Sequence, residues 1–589
     1  MTLSDALRAS LRTLRHRPSD LLPWFLLGAA VPAITRVIAF AGVAVLYLYL
    51  RTTGRFAAVQ RGLDDLEEPP PETAEPEVAT AWAESALEAV EPVVTATTVS
   101  VIVLTVVAMI AATVALSAVA TATQLSACHG TLRGERGLLA GLRGARRWLS
   151  MLGLFVLEFL LWAGSAIAFG LVTLLLAVIG TVSTGSEGTA VFALAGAGLL
   201  WFVLMLTVRA VFSFAPVAVV VDCVGVGDSL RSSAGFIRRR PGGALGYFLL
   251  VIVATVAFGG FTAVSVQYFP LSPQSVVGLA SVLVVVPFLE LVKTAVFADY
   301  RDTVSLTSSR PTGAAVGREG DRATVDGANA DSDAASSVGR DARATEHRSS
   351  ASGLERGEDG DRIGTLESDA RSESGDGSDR DRTGFEPQRS PSVREQLVGG
   401  IRRGLGELVA FVRATPGAHA VAVLALLVGF AQGWLLAEPF VGEIDTSIAE
   451  RIEGQLPYVA TIEYFTNNWL VALITAYAGV ALVVPALASL WFNGLLLGAV
   501  GRLEVEPLQL LAFVAPHGIV EIPAIVVAGA VGAHLGWRTL EAFRGNRSLE
   551  ALADDLERSF WVLVGIGVLL AIAAVIEGFV SPYYFRPLF

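Results

Sequence analysis

The chain has 589 residues, 53% of them hydrophobic and only 17% charged, where soluble domains carry about 25% charge. Its apolar runs are long enough to cross a hydrocarbon layer about 30 Å thick, which excludes a soluble enzyme for most of the length. The net charge of −12 is the wrong sign for a phosphate-binding surface, so no nucleic-acid partner is expected.

The first half reads as six spans, roughly 22–50, 93–126, 149–181, 189–221, 244–267 and 275–298. The segment Leu21 to Leu50 is too long for a signal-peptide core and is interrupted by Pro23, Pro32 and Arg36, so it is expected to be a retained span. Arginines set the orientation. Arg8, Arg12, Arg15 and Arg17 precede the first span; Arg133, Arg136, Arg143, Arg146 and Arg147 follow the second; Arg231, Arg238, Arg239 and Arg240 follow the fourth. All three groups fall on one side if both ends of this half are cytoplasmic. The loop 51–92, acidic after its first arginines, then lies outside. Cys128 and Cys223, the only cysteines, fall at cytoplasmic helix ends, which argues against a disulfide framework or thiolate metal site. Within the spans, Glu158 with Arg209 and Glu290 with Lys293 are candidate ion pairs that fix packing or mark a transport path.

Residues 301–394 change character. They hold 19 acidic residues against 14 arginines, with Phe385 the only aromatic. Such a segment cannot bury enough apolar surface to offset its ordering entropy, so 301–391 is expected to be a disordered acidic cytoplasmic linker. Lys293 is the only lysine of the chain. That halophile-like composition suits a salt-rich cytoplasm, or codon bias alone. Residues 392–413 form an amphipathic helix: Leu397, Ile401, Leu405, Leu408 and Val412 recur at spacings of three or four. The helix either lies in the membrane interface or packs on the second half.

The second membrane domain, 414–589, begins with a span at 418–437 and an acidic external loop, 438–463. The apolar stretch Trp469–Val500 is about 48 Å long as one helix, so it bends at Pro485 or crosses twice. Segment 507–537 has the same ambiguity at Pro516, expected here in the first turn of a helix. A last span covers 559–580. The fold class is therefore all-α integral membrane, with two transmembrane helix bundles, six spans plus four or five, joined by a disordered linker.

Polar residues inside this second half are the candidates for function. His517 and Glu521 lie four apart on one helix face, and such residues in apolar sequence are costly unless they find partners. Asn467, Asn468, Asn493 and Glu577 are the expected partners. Pro516, Gly518, Pro523 and Gly494 are expected at turns of the same motifs. The cluster admits three readings: hydrogen-bonded glue fixing helix register, a site for an ion, proton or small ligand, and a catalytic centre. A His/Glu pair supplies only two metal ligands, so no metal and no cofactor is expected. No H-E-x-x-H, P-loop or G-x-S-x-G element occurs, so no enzyme is expected.

The order Tyr464-Phe465-Thr466-Asn467-Asn468, Asn493-Gly494 with Gly498, Pro516-His517-Gly518 with Glu521 and Pro523, and Ile576-Glu577-Gly578-Phe579 resembles the stage II sporulation protein M family over about residues 395–585. The resemblance implies a membrane scaffold that, in spore formers, acts with membrane-anchored peptidoglycan-degrading partners; many members occur in organisms that do not sporulate. This chain departs from that pattern by its six-span extension and long linker. Phe214-Ala215-Pro216-Val217, Asp222 and Asp228-Ser229-Leu230-Arg231-Ser232-Ser233 resemble a membrane domain appended to some glycerophosphodiester phosphodiesterases, which implies a regulatory or binding module. Taken together, a multi-pass plasma-membrane protein is expected, its partners the lipid bilayer and unidentified membrane or envelope proteins. It would act as a scaffold of an envelope-associated complex or as a transporter or channel component using the polar cluster.

Overall fold

The computed structural model describes residues 2–66, 69–71, 75–183, 187–268, 273–301 and 392–585. The expected linker lies, except for Arg301, outside the described residues. Among the described residues there is no strand, only an isolated bridge between Thr446 and Glu504. Ten helices among the described residues are long and apolar enough to cross a membrane, six before the linker and four after it. Large apolar side chains such as Leu104, Leu160, Leu200 and Leu249 are exposed on them, as suits surfaces that meet lipid.

The first half contains α1 (Leu3–His16), α2 (Pro18–Thr52), α3 (Arg55–Asp64), α4 (Pro76–Val90), α5 (Ala96–Leu132), α6 (Gly137–Gly144), α7 (Trp148–Ser183), α8 (Glu187–Val221), α9 (Val226–Arg239), α10 (Pro241–Tyr268), α11 (Pro273–Ala280) and α12 (Val286–Tyr300), the last two joined by a π-helical turn. The second half contains α13 (Val393–Ala414), α14 (Pro416–Ala437), α15 (Ile448–Ile452), α16 (Pro457–Ala478), α17 (Val483–Leu503), α18 (Pro507–Phe543), α19 (Leu549–Val575) and α20 (Ser581–Phe585). Seven of these helices begin on proline, whose missing N–H costs nothing in a first turn. Thr2 and Ser392 open α1 and α13 with capping boxes.

Both expected ion pairs form within the first half. Arg209 of α8 reaches Glu158 of α7 at 2.7 Å, and Lys293 sits 2.6 Å from Glu290 on α12. Near the arginine-rich ends of these helices, Phe214, Phe236, Tyr247 and Phe297 pack edge to face or tilted. Arg301 clamps Asp222 through two bonds of 2.6 and 2.7 Å, and this pairing raises its pKa further.

In the second half, the stretch Trp469–Val500 resolves into two helices. The break falls at 479–482, before Pro485, with Leu482 at φ 73°. Gly479, Gly532 and Gly536 let this turn approach the backbone of α18. Helices α14 and α17 run parallel, with Gly429 and Gly433 against the carbonyls of Trp491 and Leu495 and Gly494 and Gly498 against those of Leu426 and Phe430. Two G-x-x-x-G faces thus meet, the small-residue geometry that brings membrane helices into backbone contact. Helix α18 corrects two expectations. It begins at Pro507 and runs unbroken through Pro516 and Pro523, so Pro516 does not start a helix. Pro516, Gly518 and Pro523 lie within α18 and Gly494 within α17, so none of the four marks a turn. Packed neighbours hold a membrane helix together across a proline. The amphipathic helix α13 packs along α19, Gly404 against Gly565.

The two sets of helices form one compact unit, Met1–Thr307 with Ser392–Phe589. Helix α2 packs on α16, α17 and α19, and α11 on α16. At the arginine-rich end, Arg136 bridges to Asp554 at 2.7 Å and Glu557 at 3.2 Å, and Arg403 of α13 meets Glu557 at 2.9 Å.

Candidate functional site

Three helices and one π-helical turn deliver the polar residues. Asn467 and Asn468 come from α16, Asn493 from α17, and His517 and Glu521 from α18. Glu577 lies in the π turn Ile576–Val580 that continues α19. At 1.5 Å per residue, His517 lies about 15 Å and Glu521 about 21 Å from the start of α18. All six line a single cavity of 510 Å³.

Within it the contacts form two strings. Asn467 Nδ2 donates to Asn468 Oδ1 at 3.2 Å, and Asn468 Nδ2 donates to Glu521 Oε1 at 2.9 Å. His517 Nδ1 lies 3.0 Å from Ser581 Oγ, and its Nε2 lies 3.8 Å from Glu577 Oε1. One ligand atom each from His517, Glu521 and Glu577 falls within 4.8 Å of the others. The second carboxylate oxygens, Glu521 Oε2 and Glu577 Oε2, are buried with no hydrogen-bond partner. Asn493 lines the cavity but its Nδ2 donates to Ser489 O of its own helix at 2.8 Å, so it stands apart from the cluster. Asn467 is exposed and also lies 3.5 Å from Ser275 Oγ of α11.

A cap closes the cavity at the end opposite the arginines. Ile448, Arg451, Ile452 and Gln455 overlie it. Ile448 and Arg451 are held by Glu504, whose side chain is fully buried. Its carboxylate accepts from Ile448 N at 2.8 Å, Thr446 Oγ1 at 3.2 Å and Arg451 Nη2 at 3.3 Å. Tyr464 OH donates to Gln455 Oε1 at 3.0 Å. Beyond the cap lies a second cavity of 680 Å³, which shares Ile452, Gln455, Tyr464, Phe513 and Glu577 with the first.

Of the partners expected for the His/Glu pair, Asn468 reaches Glu521 and Glu577 approaches His517, whereas Asn467 bonds only Asn468 within the cluster and Asn493 does not join it; Glu577 brings the potential metal ligands to three. Sequence reasoning missed Ser581 and Glu504. Ser581 follows Glu577 by four residues, a helical spacing that was available. Nothing in Arg502-Leu503-Glu504-Val505 sets that glutamate apart from an ordinary loop acid.

Residues 422–582 match the family model described as stage II sporulation protein M. An uncharacterized protein of Methanocaldococcus jannaschii is 25% identical over 134 residues, covering 21% of this chain and 75% of that protein. No solved structure matches. The match spans α14 to α19, the π turn and every residue of the polar cluster, so the C-terminal membrane domain of this polytopic protein belongs to the stage II sporulation protein M family.

Proposed function

We propose that the protein is a non-enzymatic transport or channel component that takes a small cation into the cavity of its C-terminal domain. One observation carries this reading: two half-buried glutamates, each with a buried and unpartnered carboxylate oxygen, face a common cavity. Among the described residues no arginine or lysine forms an ion pair with either. Acidic groups at such depth are expensive unless a partner neutralises them, and a cation entering past the cap would do so. Glu521→Gln should leave folding intact, because Asn468 keeps an oxygen acceptor, yet abolish cation flux in proteoliposomes. Wild-type vesicles that pass neither protons nor mono- or divalent cations would overturn the reading.

A scaffold is the second reading, implied by the family resemblance. It is favoured by the outer face of α13, where Leu397, Val398, Val409 and Val412 are exposed at the described end of the linker. If that face recruits an envelope protein, charge substitutions at Leu397 and Val398 release the partner from pull-downs while flux is unchanged. In either role we place the arginine-rich end in the cytoplasm of a cell membrane, on the loop asymmetry.

A further inference from the structure

We infer that His517, Glu521 and Glu577 form a binding site for a divalent transition-metal ion. The inference rests on the cation reading above and narrows it to one chemical class. Bond lengths of about 2.0–2.2 Å to nitrogen and oxygen put ligand atoms about 3–4 Å apart around a single ion. The three donor atoms already lie within 4.8 Å of one another, so rotamer adjustments of about an ångström complete the set.

The surroundings match what a metal site requires beyond its ligands. A metal-bound imidazole usually donates its other N–H to a nearby acceptor, which fixes ring orientation and tautomer. Ser581 Oγ, on a fully buried residue, lies 3.0 Å from His517 Nδ1. With the proton on Nδ1, Nε2 turns its lone pair toward Glu577. Asn468 holds Glu521 through Oε1 and leaves Oε2 free. The π turn that carries Glu577 is a helical irregularity often found at functional positions. Charge balance agrees: two carboxylates and a neutral imidazole neutralise a dication, and among the described residues no arginine or lysine pairs with either carboxylate, Arg451 of the same cavity being bonded to Glu504. One nitrogen with two carboxylates suits Mn²⁺, Fe²⁺ or Zn²⁺. Ca²⁺ prefers six to eight oxygens, and Mg²⁺ a hydrated octahedron.

The test is equilibrium binding of Mn²⁺ and Zn²⁺ to the purified full-length protein in detergent, with Mg²⁺ and Ca²⁺ as controls. We expect one tight Mn²⁺ or Zn²⁺ per chain and a rise in the unfolding temperature with metal concentration. Ser581→Ala should weaken binding about 10- to 100-fold, the usual cost of losing an orienting partner. Glu577→Gln and His517→Gln should weaken it more, and their elution profile in size exclusion checks that they fold. Stoichiometric binding without metal flux in vesicles supports the site and sinks the transport reading. Proton or monovalent flux without Mn²⁺ or Zn²⁺ binding does the reverse. Equal affinity in wild type and in a folded Glu577→Gln variant overturns the site.

Discussion

At the scale of single residues, Glu504 decides whether the cap over the cavity is fixed. It is fully buried, and its three bonds all reach the segment Thr446–Arg451. Breaking a buried ion pair costs about 3–5 kcal/mol, but Arg451 is half exposed, which screens its share. We therefore expect Glu504→Ala to loosen the cap by about 2 kcal/mol, the desolvation cost of the orphaned donors. That corresponds to a roughly 30-fold larger open population, read as faster tryptic cleavage after Arg451 followed by mass spectrometry. A cleavage rate equal to wild type would mean that the backbone bonds of Thr446 to Leu503 and Val505, with the packing of Ile448, hold the segment without the carboxylate. The sequence revealed the cavity's polar lining better than its cap. A histidine and acids inside apolar runs stand out because such groups are costly in lipid. A glutamate at the end of a span looks like any interfacial acid until the chain that folds back on it is known.

At the scale of elements, glycine and proline separate what the chain discloses from what it conceals. Gly429, Gly433, Gly494 and Gly498 stand where any Cβ would strike a carbonyl of the opposing helix. Gly433→Val or Gly498→Val should therefore lower the unfolding midpoint in detergent, with an overpacking cost of at least about 1–3 kcal/mol. Gly399 and Gly417 face open space, and Gly399→Ala should be neutral or slightly stabilising because alanine is the better helix former. If both kinds of substitution behaved alike, backbone contact would not be what joins α14 to α17. Both G-x-x-x-G spacings stand in the sequence, yet Gly494 was expected at a turn, because nothing in the spacing says which helix would face which. Proline was less informative. Seven helices do begin on it, but Pro516 and Pro523 sit inside α18, and residue type alone cannot say whether neighbouring helices will support the interrupted turn.

At the scale of the whole molecule, the linker suggests independent halves, while the packing joins them. The contact is hidden in the sequence because its residues, such as Phe40 against Trp491 and Phe492, are as apolar as those that face lipid. Sidedness can be read without engineering, since Cys223 is exposed and Cys128 buried. A membrane-impermeant maleimide should label Cys223 in inverted vesicles and not in intact cells, and the opposite pattern would reverse the proposed orientation. The strength of the joint between halves follows from its chemistry. The bridges of Arg136 to Asp554 and Glu557 involve partly exposed side chains, and such pairs contribute about 0–1 kcal/mol each and weaken with salt. The packing of α2 and α11 on α16, with α2 also on α17 and α19, is not screened by salt. We therefore expect that proteolysis within 302–391 yields two fragments that co-elute in mild detergent, and that co-elution survives about 1 M salt, where screening is strongest. Separation on adding salt would assign the joint to the arginine bridges, and separation at low salt would show that the linker is what keeps the halves together.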